Sequence, residues 1–164
     1  MIFRRPPAPP VASRPPLARD ERVVAWSDSD SGVLVATNLG LWLPDFLSWH
    51  LIHKATWDGS TLVVIPARKV ASRAGYTVVA DEPAVSFRLV AARDLPHQVR
   101  ARVTRSVGYS GHHPLPGGGG VRVAARRVPG VDGLRWTVRY DPGVDPDDPM
   151  TVEATGRIVD QVRE

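Results

Sequence analysis

Short apolar runs separated by turn residues fill the chain between residues 22 and 90. In residues 84–90 apolar and polar side chains alternate, which is the period of a half-buried β-strand. About seven such runs follow one another at intervals of roughly 8–12 residues, a spacing typical of a small barrel or sandwich. We therefore predict strands over residues 22–26, 33–37, 41–43, 49–57, 61–67, 76–80 and 84–90.

The period changes after the last of these predicted strands. Apolar residues then recur every four positions, as in an amphipathic helix, at Leu95, Val99, Val103 and Val107. Asp94 stands where an N-cap belongs, and Gly108 is a suitable C-terminal stop. The pattern predicts a helix that covers one open end of the barrel and adds its apolar stripe to the core.

Beyond this helix the chain returns to strand-like alternation. Residues 109–120 contain four consecutive glycines and are expected to form a loop. Residues 121–126 and 134–140 predict a hairpin with one apolar face and one face that carries arginines. A final helix is predicted from Pro149 onwards, with Asp148 as its N-cap. The simplest packing lays this helix on the hairpin face formed by Leu134, Trp136 and Val138.

Composition narrows the classes of function. The 164 residues contain no cysteine, which excludes disulfides, thiolate zinc sites and cysteine nucleophiles. No apolar run approaches the roughly 18 residues of a membrane helix, and no signal peptide is recognisable, so we expect a cytoplasmic protein. Residues 1–19 hold six of the 16 prolines and predict a disordered arm. The predicted barrel with its capping helix follows over residues 20–108, and an extension over residues 109–164.

Positive charge is concentrated in one segment. The formal net charge is +4, but residues 93–139 hold nine arginines against two acidic residues. Residues 140–164 hold seven acidic residues against two arginines. Two interpretations remain open: the basic block binds a polyanion, or the acidic segment folds back on it. In the second case the neutralising residues are Asp141, Asp145, Asp147 and Asp148.

The basic segment supplies the candidate binding face. Four of its arginines share one side of the predicted hairpin, and three lie on the polar side of the preceding helix: Arg122, Arg126, Arg135 and Arg139, with Arg100, Arg102 and Arg105. Guanidinium groups bind phosphates and carboxylates through two parallel hydrogen bonds. Trp136 and Tyr140 fall on the opposite, apolar side of the hairpin, which disfavours single-strand binding by base stacking.

The sequence offers no constellation of catalytic or metal-binding residues, and we predict no catalytic, cofactor or metal site. His50 and His53 are expected on opposite faces of a strand, and the adjacent His112 and His113 lie in a predicted loop. The glycine run over residues 117–120 lacks the lysine and the following helix of a phosphate-binding loop. It is expected to be a flexible connector.

One segment resembles a known family. Residues 33–43 form a strand ending in Ala-Thr-Asn, a tight turn and Gly-Leu-Trp-Leu. They are similar to the second and third strands of bacterial pleckstrin-homology-like domains, and residues 49–64 resemble the strand and hairpin that follow there. Leu39 departs from the family, since many relatives have a basic residue at that place. The whole chain also resembles uncharacterised proteins of high-GC Gram-positive bacteria, which implies no function.

The resemblance covers residues 20–107 and fits the predicted fold. That fold is mainly β (α+β): a seven-stranded pleckstrin-homology-like barrel capped by a helix, followed by a β-hairpin and a C-terminal helix. Such barrels bind peptides or other proteins through an open sheet edge or through the loops opposite the helix. In a bacterial chain the resemblance does not imply phosphoinositide binding.

These features favour a non-enzymatic binding or scaffolding module for a protein partner. Trp42 and Trp57 stand beside turns, where an exposed ring can anchor such a partner. The alternative is a nucleic-acid or ribonucleoprotein accessory factor that uses the arginine face through backbone contacts. A third hypothesis, an enzyme with a site between barrel and hairpin, needs a buried acid–base pair in a cleft. The sequence leaves the ligand and the oligomeric state open.

Overall fold

Strands make up most of the regular structure of this protein. A computed structural model describes residues 8–164, and the first seven residues of the predicted arm lie outside the described residues. With 46% strand and 21% helix the chain is mainly β, as predicted. Its elements are β1 (Val23–Ser29), β2 (Gly32–Thr37), β3 (Gly40–Trp42), β4 (Phe46–Ser48), β5 (Ile52–Trp57), β6 (Thr61–Arg73), β7 (Tyr76–Asp81), β8 (Val85–Val90), α1 (Leu95–Ser106), β9 (Val107–Pro114), β10 (Gly120–Arg127), β11 (Leu134–Tyr140) and α2 (Pro149–Arg163).

The chain divides into two compact units. Unit 1 contains the described residues up to Pro66 together with Pro83–Arg105, and unit 2 contains Ala67–Glu82 together with Ser106–Glu164. The long strand β6 begins in unit 1 and ends in unit 2, where it forms a hairpin with β7. The sequence analysis grouped this hairpin with the barrel, whereas here it belongs to the same unit as the C-terminal strands.

Unit 1 is built on an antiparallel sheet with the strand order β4-β3-β2-β1-β8-β6-β5. Within the described residues no pairing joins β4 to β5, so the sheet is open and the predicted closed barrel is not found. The two edge strands are shorter than predicted or very short. β4 has three residues, and a 3-10 turn at Trp49–Leu51 replaces the first part of the strand predicted over residues 49–57, so that β5 has six residues.

The helix α1 adds its apolar stripe to the core of unit 1. Leu95 and Val99 are fully buried and Val103 is 8% exposed, in one cluster with strand residues that include Leu34 and Phe87. Each such Val or Leu contributes about 1.5–3 kcal/mol when it is fully buried. The predicted helix is confirmed, although it ends at Ser106, so the fourth predicted position of the stripe already belongs to β9.

Unit 2 contains a sheet with the strand order β9-β10-β11-β7-β6. β11 and β7 run parallel, and the other neighbours run antiparallel. The loop predicted over residues 109–120 is wrong in its first half, because Val107–Pro114 forms β9 and pairs with β10 along its length. Glycine and serine favour strands only weakly, and cross-strand pairing with β10 outweighs that local preference.

The helix α2 covers one face of this sheet. The predicted hairpin is confirmed as β10 and β11, and its fully buried residues cluster with Val159 of α2: Val121, Val123 and Val138. The predicted docking of the last helix is therefore confirmed for Trp136 and Val138, whereas Leu134 is 40% exposed and lies outside this cluster. α2 also begins as predicted, since the Asp148 carboxylate accepts a hydrogen bond from the Thr151 backbone N–H at 3.3 Å and Pro149 occupies the first turn.

Candidate functional site

A basic groove lies along the outer side of α1 in unit 1. Because the stripe of α1 faces the core, the positions between its members turn outward. His97, Arg100 and Arg105 on the helix line an open groove of about 620 Å³, together with Trp57 at the end of β5 and Arg93 in the loop before α1. None of the described residues that line this groove is acidic. The arrangement suits an anionic group beside an aromatic ring.

The turn after β5 holds Trp57 at the groove. Asp58 Oδ1 accepts hydrogen bonds from the backbone N–H groups of Thr61 at 2.7 Å and Ser60 at 2.8 Å, and these bonds lower the pKa of the Asp58 carboxyl. Gly59 has a φ of 100°, which glycine adopts at little cost. Trp57 is partly exposed, packs against the unit 1 core and also lines the groove. The sequence-predicted anchor Trp57 is thus part of the site.

The loop before α1 holds Arg93 in a backbone conformation that L-amino acids rarely adopt. Its φ is 51°, and that of Ala91 is 54°. The Arg93 guanidinium lies 5.3 Å from the centre of the Trp26 ring, within the range of a cation–π interaction. The sequence analysis missed Arg93, because residue type and spacing carry no signal for a left-handed backbone at an arginine.

Two of the three arginines predicted on the helix line the groove. They are Arg100 and Arg105, whereas Arg102 is not among the lining residues. Arg102 Nε donates a hydrogen bond to Gln98 Oε1 at 3.3 Å, and burial, with the charges of Arg105 and Arg22, lowers the pKa of Arg102. The candidate face therefore covers only part of the polar side of α1.

The four predicted sheet arginines form two cross-strand pairs in unit 2. Arg122 lies directly opposite Arg139, and Arg126 lies directly opposite Arg135. Residues directly opposite on paired strands point to the same face of the sheet. These four belong to unit 2, whereas the helix arginines belong to unit 1.

The surroundings of the sheet arginines differ from one another. Arg126 is only 5% exposed, its Nη2 and Nε donate to Ser106 Oγ at 2.6 and 3.0 Å, and burial lowers its pKa to about 10. Arg139 forms an ion pair with Asp81 at 2.6 Å. Arg122 Nη1 donates to the hydroxyl of Ser110 at 3.2 Å. A shared side of the hairpin, which the sequence predicted, therefore does not by itself make a uniform binding face.

The acidic segment after β11 has partners other than these arginines. Asp141 lies 3.0 Å from His112 Nε2, and Asp147 pairs with Arg73 at 2.9 Å. Asp145 accepts a hydrogen bond from the backbone N–H of residue 147, and residue 148 caps α2. The described contacts of the segment thus give no support to the prediction that it neutralises the sheet arginines.

Trp42, the second predicted anchor, already has a partner for its polar atom. Its Nε1 donates to Glu21 Oε2 at 3.0 Å, and the same carboxylate oxygen accepts a hydrogen bond from Thr37 Oγ1 at 2.6 Å. The Trp42 ring lies 5.1 Å from that of Phe46, which is 42% exposed. Phe46 therefore carries much of the aromatic surface that is open to solvent in this region.

Three of the histidines and the last glycine of the run lie in elements that differ from those predicted. His50 lies in the 3-10 turn before β5 rather than on a strand, and His112 and His113 lie on β9 rather than in a loop. Gly120 begins β10, and Gly118 and the glycine after it have φ values of 100° and 67° in the turn between β9 and β10. Within residues 8–164, no group of three or more His, Asp or Glu side chains could hold a metal ion.

Comparisons with known proteins identify no relative of this chain. No family model matches the chain, and neither the curated proteins nor the solved structures contain a match. The resemblance of residues 20–107 to pleckstrin-homology-like domains therefore stays a prediction. Among the described helices, none has the length and apolar character needed to cross a membrane.

Proposed function

We propose that this chain is a non-enzymatic binding module whose unit 1 groove holds an acidic segment of a partner protein. One observation carries the proposal: the groove is lined by a partly exposed tryptophan, three arginines and a histidine, with no carboxylate among its described lining residues. Tryptophan and arginine are the residues that most often dominate the binding energy of protein interfaces. The groove therefore combines an apolar anchor with positive charge that is complementary to an acidic segment.

The charges of the groove would contribute more to specificity for the partner than to affinity for it. Arg93, Arg100 and Arg105 are exposed, so their attraction for a carboxylate is screened by salt over about 8 Å at physiological ionic strength. Exposed charges of this kind mainly raise the association rate and exclude partners of the same sign. Contact with the Trp57 ring would then supply the apolar share of the affinity.

The position of β5 supports an extended conformation for the bound segment. Among the strands of the described residues β5 pairs with β6 alone, so β5 lies at one end of the unit 1 sheet. Trp57 is the last residue of β5 and also lines the groove, which links the edge to the basic lining. Peptides added to a sheet edge gain affinity from backbone hydrogen bonds and specificity from alternate side chains.

A fluorescence-anisotropy titration tests the proposal with a labelled peptide that alternates glutamate and valine. We expect saturable binding that weakens at least tenfold in Trp57→Ala and in Arg100→Glu. Arg88→Glu is the matched control, because Arg88 is exposed on β8 in the same unit but does not line the groove. A peptide with lysine in place of glutamate should not bind. Equal losses in Arg88→Glu and Arg100→Glu, or no saturation, would contradict the proposal.

The alternative function, nucleic-acid binding through the sheet arginines, draws on the paired register of β10 and β11. The burial of Arg126 and the ion pair of Arg139 leave Arg122 and Arg135 as its main cations. This alternative predicts a gel shift near 50 mM salt that fades steeply as salt rises and disappears in the double variant Arg122→Ala/Arg135→Ala. If that shift occurs and Arg100→Glu leaves it intact, the alternative replaces the groove as the function of the chain.

A further inference from the structure

The basic groove of unit 1 contains one exposed side chain of the type that gains or loses its charge near neutral pH, that of His97. His97 lies midway between Leu95 and Val99 of the buried stripe of α1, so its side chain points away from the core. Arg100 follows three positions later and lies on the same side of the helix. Within residues 8–164 the His97 ring has no hydrogen-bond or ion-pair partner, so it is available to a ligand in the groove.

The charged groups that line the groove with His97 are all cations. They are three arginines from α1 and the loop before it: Arg93, Arg100 and Arg105. The strand β5 contributes Trp57, which carries no charge. The nearest carboxylate along the chain belongs to Asp94, whose Oδ2 accepts a hydrogen bond from Gln98 Nε2 at 3.0 Å, and Asp94 does not line the groove. The described lining therefore provides no acid that could pair with a protonated His97.

An acidic segment in the groove would supply that missing counter-charge. A carboxylate within about 4–6 Å of an imidazole favours the protonated form of the ring. Protonation adds a cation to the groove and gives the ring two N–H donors instead of one. Coupling of this kind is reciprocal: if the bound acid favours the proton, the proton favours the bound acid to the same degree. The affinity of the groove for an acidic segment should therefore increase as the pH falls.

We propose that His97 makes binding at this groove proton-coupled, so that the chain binds its acidic partner more tightly at mildly acidic than at mildly alkaline pH. The inference rests on the proposed function of the groove and adds a regulation of it. Glutamate side chains of the partner, with an ordinary pKa of about 4.3, stay ionised over the range in which a histidine titrates. The arginines keep their charge throughout and provide the binding that remains at higher pH. The complex then takes up part of a proton as it forms.

Fluorescence-anisotropy titrations of the full chain between about pH 5.5 and about pH 7.5 test the inference, with the labelled peptide that alternates glutamate and valine. We expect wild type to bind about threefold more tightly at the lower pH, a change typical of one exposed ion pair. His97→Gln keeps a neutral polar side chain and should bind with one affinity across the range. His97→Lys carries a fixed charge and should bind at the higher pH about as tightly as wild type does at the lower one.

Isothermal titration calorimetry in two buffers with different ionisation enthalpies measures the coupled proton directly. At about pH 6.5 the wild-type chain should take up a fraction of a proton when the peptide binds, and His97→Gln should take up none. Because proton uptake does not depend on the stability of the fold, this measurement separates a role of the His97 charge from a structural role of the side chain.

His112→Gln is the matched control, because His112 has an exposed side chain on β9 in unit 2 and does not line the groove. This variant should keep the pH dependence of wild type. Suppose that the peptide binds and needs Trp57 and Arg100. An affinity that is then equal at every pH, or a pH dependence that persists in His97→Gln, would overturn this inference and leave the proposed function standing. Absence of saturable binding at every pH would overturn both.

Discussion

The buried guanidinium of Arg126 donates two hydrogen bonds to the Ser106 hydroxyl oxygen, from Nη2 at 2.6 Å and from Nε at 3.0 Å. Both side chains are nearly inaccessible to solvent, with exposed fractions of 5% and 6%. Loss of a buried hydrogen bond destabilises a protein more than loss of an exposed one, because water does not replace the missing partner. The contact therefore marks Arg126 as a structural arginine of unit 2 rather than a ligand-binding one.

Replacing Arg126 should accordingly destabilise unit 2. We expect Arg126→Ala to lower the free energy of unfolding by about 1.5–3 kcal/mol, the range for hydrogen bonds to charged groups. Arg135→Ala is the matched control, since Arg135 lies directly opposite on β11 but is exposed, and a change within about 0.5 kcal/mol is expected there. Urea unfolding followed by circular dichroism measures both. Equal effects of the two substitutions would show that the Ser106 contact contributes nothing to stability.

The arginines of the hairpin show what the sequence could and could not predict. Alternation along residues 121–126 and 134–140 is a local signal, so the hairpin and the shared side of its arginines follow from it, whereas the residue-by-residue register does not. The burial of Arg126 depends on Ser106, which is 20 positions away, and periodicity carries no information about such a contact. The strand β9 was missed for a related reason, because its glycine, serine and histidine residues become a strand only through pairing with β10.

The residues of the candidate groove likewise include some that the sequence could predict and some that it could not. Trp57 could be predicted because Asp58 and Gly59 mark a turn that places it at a strand end, and Arg100 because it lies outside an apolar helical stripe. Arg93 could not, since its position depends on a backbone conformation that only the folded loop shows. The edge position of β5 was equally hidden, because short apolar runs do not reveal whether the first and last strands of a sheet pair with each other.

The strained loop before α1 leads to a second prediction. Ala91 has a φ of 54°, a conformation that costs an L-residue about 1–2 kcal/mol and glycine almost nothing. Ala91→Gly should therefore stabilise the protein by about 1 kcal/mol in urea unfolding and leave binding of the acidic peptide unchanged. Arg93→Gly relieves the same strain but removes a cation from the groove, so it should weaken peptide binding. If both variants bind the peptide like wild type, Arg93 has no role in the groove.

Two glycines of unit 2 should respond to alanine with opposite signs. Gly75 has a φ of 85° and approaches Arg163 closely, so Gly75→Ala should lower the free energy of unfolding by about 1–2 kcal/mol. Gly156 lies within α2, and a Cβ atom there would meet nothing within 4 Å. Gly156→Ala should raise the free energy of unfolding by about 1 kcal/mol, the difference in helix propensity. Thermal unfolding midpoints that move in the same direction for both variants would contradict this prediction.

Tyr140 should make the stability of unit 2 depend on pH in the alkaline range. Its hydroxyl lies 2.7 Å from Thr155 Oγ1, and the Thr155 hydroxyl in turn donates to the Thr151 carbonyl oxygen at 2.7 Å. Because the Thr155 proton is used in that bond, the Tyr140 hydroxyl is the donor in the first one. Burial raises the pKa of Tyr140 above its ordinary value of 10.0, so the folded protein retains the phenolic proton more firmly than the unfolded chain.

The sign of the effect follows from this difference in proton binding. Where the folded state binds more protons, stability falls as pH rises, so the contribution of Tyr140 is complete below pH 10.0 and decreases above it. Arg126 acts in the opposite sense, since burial lowers its pKa to about 10 and raising the pH relieves the penalty of its buried charge. Urea unfolding of wild type and of Tyr140→Phe at several pH values isolates the contribution of the tyrosine to stability, because Arg126 is common to both proteins. We expect wild type to be more stable by about 1 kcal/mol at neutral pH, the value of one hydrogen bond, and the advantage to shrink above pH 10. A constant advantage across that range would mean that the Tyr140 proton is not held by the fold.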